Sequence, residues 1–492
     1  MKRSNGVALL LISMGATVLT ASASAADLLS VYQDALVNDP AIREADANRL
    51  AQREQRPQAL SKFLPQIQGG YTTTDGRQEQ TRLSQQLDNT TPPQLVSFNQ
   101  TSIFHPDDHG WQVNLRQNLF SWSNWADLRA ANAQVAQAEA VYQAAEQDLI
   151  VRTAQRYFAV LSAQDTLEAQ QAALDALNRQ LDQANKRFEV GLIAITDVQD
   201  TKAARDQSAA DVIASKRSLA TAEEQLREIT GQKYDALSRP GTSMPLAAPS
   251  PSSEQQWVDM SMEQNLQLVA DRLQADTARA QVQSAFGNHF PTIDVSGTRS
   301  HAVGDGTAQF GTLSGVQPEG PFPTDSKNAT YGLSVTVPIF SGGLTQSRVR
   351  QAQYTWIAAK ERVTRTSRAT ERAARDSYLG VISNMSRVEA LRQGLESSQT
   401  SLKATEAGYE VGTRTSVDVL TSRQALVAAQ TRFSQSRYDY LLNVIQLRQA
   451  AGNLDKATLD ELNRLLTETV STAPTAPGAP VPTPNPQPQN QN

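Results

Sequence analysis

The sequence of 492 residues contains no cysteine and only four histidines. Without cysteine the chain forms no disulfide, no metal–thiolate site and no thiol nucleophile. The net charge of −5 lacks the basic excess that is typical of nucleic-acid-binding proteins. Beyond the N-terminal segment, no apolar run approaches the ~20 residues of a membrane-spanning helix, so any membrane crossing would use strands.

The two ends of the chain differ in composition from the rest. Lys2 and Arg3 precede the apolar run Val7–Leu19, which is followed by small residues. This order predicts a cleavable secretory signal peptide over residues 1–25. Residues 471–492 are rich in Pro, Gln and Asn and have little to bury, so they are predicted to form a disordered tail.

A short motif occurs twice in the chain. The segment "RFEVGLIAITDVQD" (Arg187–Asp200) is matched by "GYEVGTRTSVDVLT" (Gly408–Thr421) at an offset of 221 residues. Matches at nearly the same offset join Phe63–Thr72 to His289–Thr298 and Trp111–Phe120 to Tyr331–Phe340. This predicts two structural repeats, residues 26–231 and 255–470, joined by a proline-rich equatorial linker, residues 232–254.

Each repeat contains two segments in which apolar and polar residues alternate. They predict strands near residues 65–75 and 110–120, and near 290–300 and 329–340. The polar insertions 75–108 and 300–328 are predicted to be surface loops. The strands of a soluble antiparallel sheet also show this alternation of apolar and polar residues. The secretion signal, the polar faces and the aromatic residues at the strand ends (Phe120, Trp122, Trp125, Phe340) favour membrane strands instead.

Long helices are predicted directly after the strands, over residues 121–187 and 344–408. The first of these segments has neither Pro nor Gly. Both carry apolar residues seven apart, which is typical of coiled coils: Val160, Leu167, Leu174, Leu181 and Phe188, and Val381, Val388, Leu395, Leu402 and Tyr409. Shorter helices are predicted over residues 28–62 and 197–229, and over 253–287 and 417–450.

Four strands cannot close into a barrel, and open sheet edges are not tolerated in lipid. Closure therefore requires several copies of the chain. Two copies would supply eight strands and three would supply twelve, and physical reasoning alone does not choose between them.

The repeated turn has a local structural role. Gly191 and Gly412 are predicted to end the long helices as C′ glycines. Thr196 and Ser416 are predicted N-caps of the returning helices. Asp197 and Asp418 favour the positive end of the helix dipole.

The chain resembles the TolC family of outer-membrane efflux and secretion ducts (outer membrane factors) of Gram-negative bacteria. The resemblance lies in the two turn motifs, "FLPQI", "QAQY" (Gln351–Tyr354) and "EQLREITG" (Glu224–Gly231). It implies a homotrimer whose twelve-stranded antiparallel β-barrel in the outer membrane continues into a twelve-helix coiled-coil α-barrel in the periplasm. It also implies a periplasmic adaptor (membrane fusion protein) and an inner-membrane pump of RND or ABC type as partners, for drug efflux and type I protein secretion.

The resemblance also implies a gate at the turns. Tyr409 and Arg414 would bond to the first turn near Thr196 and Asp197, and Asp418 would form an acidic constriction ring. Where the family pattern has a second Asp this chain has Thr421, so the ring should be less acidic and cation block weaker. The turn tips are predicted to contact the adaptor: Gly191, Leu192, Ile193, Gly412 and Thr413.

Two other classes of protein share some of these features. A periplasmic coiled-coil scaffold without a pore would explain the heptads but not the four alternating strands. An enzyme is not favoured because no nucleophile motif or phosphate loop is present. The one metal-like motif, "HPDDH" (His105–His109), is better explained as a solvated surface loop than as a metal site. Neither a metal nor a cofactor is predicted.

Overall fold

A computed structural model describes residues 25–241 and 243–472. All of the predicted signal peptide except Ala25, and the predicted tail from residue 473 onward, lie outside the described residues. The chain forms two compact units. The sheet unit comprises Glu44–Ala144 and Leu266–Ala369, and the turn unit comprises the described residues up to Arg43, Ala145–Asn265 and those from Thr370 onward.

The helices and strands follow one another in this order: α1 (Leu28–Asn38), α2 (Pro40–Arg53), α3 (Gln55–Ser61), β1 (Gln66–Asp75), β2 (Gln78–Leu87), β3 (Leu95–His105), β4 (Asp107–Phe120), α4 (Trp122–Glu189), α5 (Ile195–Thr230), β5 (Ala236–Arg239), α6 (Glu254–Gln264), α7 (Leu266–Gly287), β6 (Thr292–Gly304), β7 (Thr307–Thr312), β8 (Gly315–Val316), β9 (Gly320–Pro321), β10 (Thr324–Thr336), α8 (Leu344–Glu410), α9 (Ser416–Ala451), α10 (Lys456–Asn463) and β11 (Glu468–Ser471). No helix in the described ranges is both long and apolar enough to cross a membrane.

The main sheet of the sheet unit has four antiparallel strands in the order β1-β4-β6-β10. Its two outer strands, β1 and β10, each pair with a single neighbour among the described residues. The register places apolar residues on one face and polar residues on the other, because residues two apart share a face. A bulge between Asn118 and Phe120 shifts the β4–β6 register where β4 ends.

The prediction that the two insertions, residues 75–108 and 300–328, are surface loops is wrong, since both contain strands. β2, β3, β7 and β8 form a second antiparallel sheet in that order, and β9 also pairs with β7. Phe104, Phe310 and Phe322 pack edge to face there, with ring centroids 5.6–5.9 Å apart. The second sheet continues the strand order of the main sheet, because β1 leads into β2, β3 into β4 and β6 into β7.

Charged side chains join the helices of the sheet unit. Buried Asp271 of α7 accepts from Arg362 at 2.9 Å and from the Thr366 hydroxyl at 2.6 Å, both on α8. Asp127 of α4 pairs with Lys62 at 2.6 Å and also accepts from the Ser284 hydroxyl. These contacts fix helices that are adjacent to the ends of the strands.

The turn unit has an apolar core around α4 and α9. Its largest fully buried side chains include Tyr157, Phe158, Trp257, Leu441 and Ile445. Along the two predicted heptad series, Val160, Leu167, Val381, Val388 and Leu402 are buried, whereas Phe188 near the first turn is exposed. β5 lies inside the predicted linker and pairs with β11, so the predicted start of the tail at residue 471 is wrong: Ser471 belongs to a strand.

Candidate functional site

The two interhelical turns of the turn unit have the same backbone geometry. Gly191 and Gly412 adopt φ values of +74° and +80°, in the left-handed region that favours glycine. The Leu192 N–H donates to the Arg187 carbonyl at 2.8 Å, and the Thr413 N–H donates to the Gly408 carbonyl at 2.8 Å. These bonds define Schellman motifs, so the predicted C′ role of both glycines is confirmed.

The N-caps of the returning helices are not those predicted. The caps are Ala194 for α5 and Thr415 for α9, not Thr196 and Ser416. Thr415 forms a complete capping box, since its hydroxyl accepts from the Asp418 N–H at 3.2 Å and the Asp418 carboxylate accepts from the Thr415 N–H at 2.9 Å. Ala194 has no side-chain oxygen, so α5 begins without a cap of this kind.

A hydrogen bond connects the two turns directly. The Ser416 hydroxyl donates to Oδ1 of Asp197 at 3.1 Å, and Ser416 is buried. Asp197 and Asp418 are both the third residue of their helices. Asp418 caps its own helix, whereas Asp197, with no capping partner at Ala194, accepts from the other turn.

Tyr409 lies against the end of the first long helix. The Arg187 guanidinium lies over the Tyr409 ring at 5.3 Å from its centroid, which is a cation–π distance. In the part of the chain that the structure describes, no hydrogen bond or ion pair joins Tyr409 or Arg414 to Thr196 or Asp197. The predicted bonds are therefore not contacts within one chain, and between copies they stay a prediction.

Arg414 lies beside the last turn of α8. A Cβ at Gly408 would come within 2.7 Å of the Arg414 Cγ, so the glycine makes room for this side chain. The N–H of Thr415, then its hydroxyl and the charge of Arg414, lower the pKa of Asp418 below its ordinary value of 3.8. Asp418 is therefore ionised at neutral pH, as an acidic ring would require.

A cavity of about 290 Å³ lies between α4, α8 and α9 behind Tyr409. On its wall Arg423 pairs with Glu406 at 2.6 Å, joining α9 to α8 across the second turn. The sequence contains no signal that points to Arg187, Arg423, Glu406 or the contact made by Ser416. Their partners are far apart in sequence or on another helix, and the heptad pattern marks only apolar positions.

The turn tips expose apolar side chains. Leu192 is 73% exposed, and Val190 and Val411 on either turn are exposed to a similar degree. The predicted tip residues Gly191, Leu192, Ile193, Gly412 and Thr413 all lie between the paired helices. Exposed apolar residues at a helical turn suit contact with a partner more than they suit isolation in water.

The prediction of a solvated loop at "HPDDH" is wrong, because all of its residues except Pro106 belong to two strands. His105 ends β3 and pairs with Glu319 at 2.8 Å, and His109 lies within β4. Within residues 25–241 and 243–472 no group of three or more His, Cys, Asp or Glu side chains could hold a metal ion.

Comparisons with known proteins agree on one family. The model of the family described as "Outer membrane efflux protein" matches residues 31–232 and 257–453. The chain is 33% identical to the outer membrane protein TolC of Escherichia coli over 96% of this chain and 92% of that protein. It is 26% identical to the alkaline protease secretion protein AprF of Pseudomonas aeruginosa, over 90% of this chain and 88% of that one.

A solved structure has the same fold. The outer membrane protein VceC of Vibrio cholerae superposes with a TM-score of 0.66 at 20% identity, covering 86% of this chain and 96% of VceC. The family model matches more than half of this chain. The chain therefore belongs to the outer membrane efflux protein family.

Proposed function

We propose that this chain is an outer-membrane exit duct for the efflux of small molecules and for type I protein secretion, recruited by an inner-membrane pump and a periplasmic adaptor. Membership of the outer membrane efflux protein family and similarity to TolC and AprF support this function. No enzyme family is indicated by these relatives.

The observation that carries the proposal is the main sheet. It has an apolar face and a polar face, and its outer strands β1 and β10 have no second neighbour among the described residues. In lipid every backbone N–H and C=O must be paired, so β10 of one copy would pair with β1 of the next. Large apolar side chains are exposed on one face of the single chain, as a lipid-facing wall requires: Ile67, Tyr71, Trp111, Val113, Tyr331, Leu333 and Val335.

Three copies would give a barrel of twelve strands, and α4, α5, α8 and α9 of each would give twelve long helices. The two halves of the chain support the number of strands and long helices that each copy supplies. α4 and α8 have 68 and 67 residues, α5 and α9 have 36 each, and the family model matches the chain twice. We interpret these as two repeats, each of which supplies two strands and one pair of long helices.

The two turns are proposed to form the gate at the periplasmic mouth. Tyr409 and Arg414 would bind the first turn of a neighbouring copy near Thr196 and Asp197, and Asp418 from three copies would form the acidic ring. The contacts within one chain, Ser416 with Asp197 and Arg187 with Tyr409, would hold the two turns of each copy together. The exposed tips would bind the adaptor.

Single-channel conductance in planar bilayers tests the gate. Arg414→Ser and Tyr409→Phe should each raise conductance, because each removes a contact that keeps the mouth closed. Arg392→Ser is the control, since this arginine lies within α8, before the turn that carries Arg414, and its ion pair among the described residues is with Glu389 of the same helix. Unchanged conductance in both variants and in the double variant would remove the lock assignment.

A periplasmic scaffold without a pore is the alternative. It would leave the exposed apolar face of the main sheet without a partner. Outer-membrane fractionation and heat-modifiable migration on gels separate the two: a closed barrel migrates differently before and after boiling, and a helical scaffold does not. A protein found only in the periplasmic fraction would refute the duct.

A further inference from the structure

The face of the main sheet that carries the apolar residues also carries a row of basic ones. The register aligns Tyr71, Trp111, His301 and Lys327 across the four strands. One row along, Arg299 lies between Val113 and Ala329. Since residues two apart on a strand share a face, these side chains project to the same side as Tyr331 and Leu333.

Contacts between the side chains agree with this face. The Trp111 and His301 rings lie edge to face with centroids 6.4 Å apart. His301 Nε2 and Oδ1 of Asp325 are 2.9 Å apart, and Lys327 Nζ lies 3.3 Å from the other oxygen of Asp325. Lys327 is nevertheless 70% exposed, so one carboxylate does not satisfy its ammonium group.

Arg299, in the next row of the same face, is the second exposed cation. It makes no ion pair among the residues that the structure describes, and its strand neighbours on that face are Val113 and Ala329. An arginine among apolar residues on a lipid-facing wall is costly at mid-membrane, and the cost falls at the interface. Because its side chain is long, its guanidinium can reach an anion at the level of the headgroups.

The position along the strand matches that level. Lys327–Thr336 is a stretch of ten residues at the end of β10, and a tilted membrane strand needs ~9–11 residues. Lys327 and His301 would then lie at the outer boundary of the hydrocarbon, beside Tyr71 and Trp111, where aromatic girdles form. Asp75 and Asp107 lie two rows beyond this level on the same face, and they would keep an anion confined to the basic residues.

We propose that Arg299, Lys327 and His301 form a binding site for the phosphate groups of a phosphorylated lipid headgroup in the outer leaflet. The acyl chains would lie on Tyr331, Leu333 and Val335, and the phosphate would accept from Arg299 and Lys327. This rests on the proposed function, because the face contacts lipid only if the sheet closes as a barrel. The site fixes the depth of the barrel and selects a phosphorylated lipid as its neighbour.

Binding of a bisphosphorylated glucosamine lipid to the full chain, purified as its oligomer in detergent, tests the site by native mass spectrometry. The same lipid without its phosphates is the ligand control, and inorganic phosphate tests whether the free anion suffices. The unmutated protein should prefer the phosphorylated lipid, and inorganic phosphate should not displace it at equal concentration. Equal binding of the phosphorylated and dephosphorylated lipids, or displacement by phosphate, would overturn the proposal.

Arg299→Ala and Lys327→Ala should each weaken binding about fivefold and together about 25-fold, since one basic residue at an anionic lipid surface contributes about 1 kcal/mol. Arg116→Ala is the matched control: Arg116 is an exposed arginine of the same sheet, but its row places it on the opposite, polar face. Equal losses with Arg116→Ala, or none in the double variant, would refute the site. Arg299→Lys keeps the charge and should keep most of the affinity.

Bilayer conductance of the same preparations separates the two proposals. If the unmutated protein conducts but does not distinguish the two lipids, only the lipid site is wrong. If it neither oligomerises nor conducts, the duct itself is wrong.

Discussion

Ser416→Ala removes the hydrogen bond that joins the two turns of one chain. The Ser416 hydroxyl donates to the Asp197 carboxylate at 3.1 Å from a buried position. A hydrogen bond to a charged group contributes roughly 1.5–3 kcal/mol. Asp197 is half-buried, so solvent weakens this interaction, and we estimate that the bond contributes about 1 kcal/mol per copy.

That energy shifts the balance between closed and open turns about fivefold in one copy. If the three copies of the proposed trimer open together, the contributions add to about 3 kcal/mol, a shift on the order of 100-fold. We therefore expect Ser416→Ala to increase single-channel conductance or the fraction of time spent open. The measurement is a planar-bilayer recording of the purified oligomer at fixed salt and pH.

Ser422→Ala is the matched control. Ser422 is six residues further along α9 and donates to the Thr405 hydroxyl at 3.2 Å, so it joins α9 to α8 and not one turn to the other. It should leave conductance unchanged. Asp197→Ala should raise conductance at least as much as Ser416→Ala, because Asp197 also lies at the proposed contact with a neighbouring copy. Adding Ser416→Ala to Asp197→Ala should have no further effect, since the bond that the two residues share is already lost. Additive effects, or an equal effect of Ser422→Ala, would refute the reasoning.

Three further predictions follow from named contacts. Thr421→Asp adds one carboxylate per copy near Asp418. It should lower, by about tenfold, the concentration of a trivalent cation that is needed to block half of the channel current, which is equivalent to about 1.4 kcal/mol. An unchanged blocking concentration would refute the acidic ring. The pKa of Asp418 is lowered in the folded turn, so the capping box stabilises the turn fully above pH 3.8, and this stabilisation is lost as the pH falls through the lowered pKa. Conductance of the unmutated protein should therefore rise in that acid range. Asp418→Asn should not show this rise. Tyr157→Phe should lower the free energy of unfolding in guanidinium by about 1–2 kcal/mol, because the buried Tyr157 hydroxyl donates to the Ser238 carbonyl at 2.6 Å. Tyr354→Phe is the control: Tyr354 is exposed, and its substitution should leave the free energy of unfolding unchanged.

The long helices could be predicted because the determinants are local. The segment that forms α4 has no Pro or Gly before its end, and Gly191 and Gly412 mark the turns. The main strands could be predicted from alternation, although β10 ends at Thr336 and not at residue 340. Pro338 has no N–H to donate to a ladder, which explains the earlier end.

The second sheet could not be predicted, because the pairing that joins its two hairpins is not local. β3 pairs with β7 about 200 residues away, as in Ser102 with Phe310. β2, with the sequence "QEQTRLSQQL", is polar on one face and has only Leu83 and Leu87 as apolar residues on the other, so its alternation is weak. For the same reason the contact between Ser416 and Asp197, 219 residues apart, has no sequence signal.

The two turns were predicted to have the same helix caps, and a single substitution between the repeats makes their caps different. Ala194 occupies the N-cap position that Thr415 occupies in the second turn, so the third residue of α5, Asp197, has no capping partner in its own helix. Its carboxylate accepts from Ser416 instead, and the start of α5 depends on the neighbouring turn. In the second turn, Thr415 and Asp418 cap their own helix α9. Loss of the Ser416 bond should therefore loosen the first turn while the second keeps its cap, and a substitution of Ala194 by Thr would draw Asp197 back to its own helix.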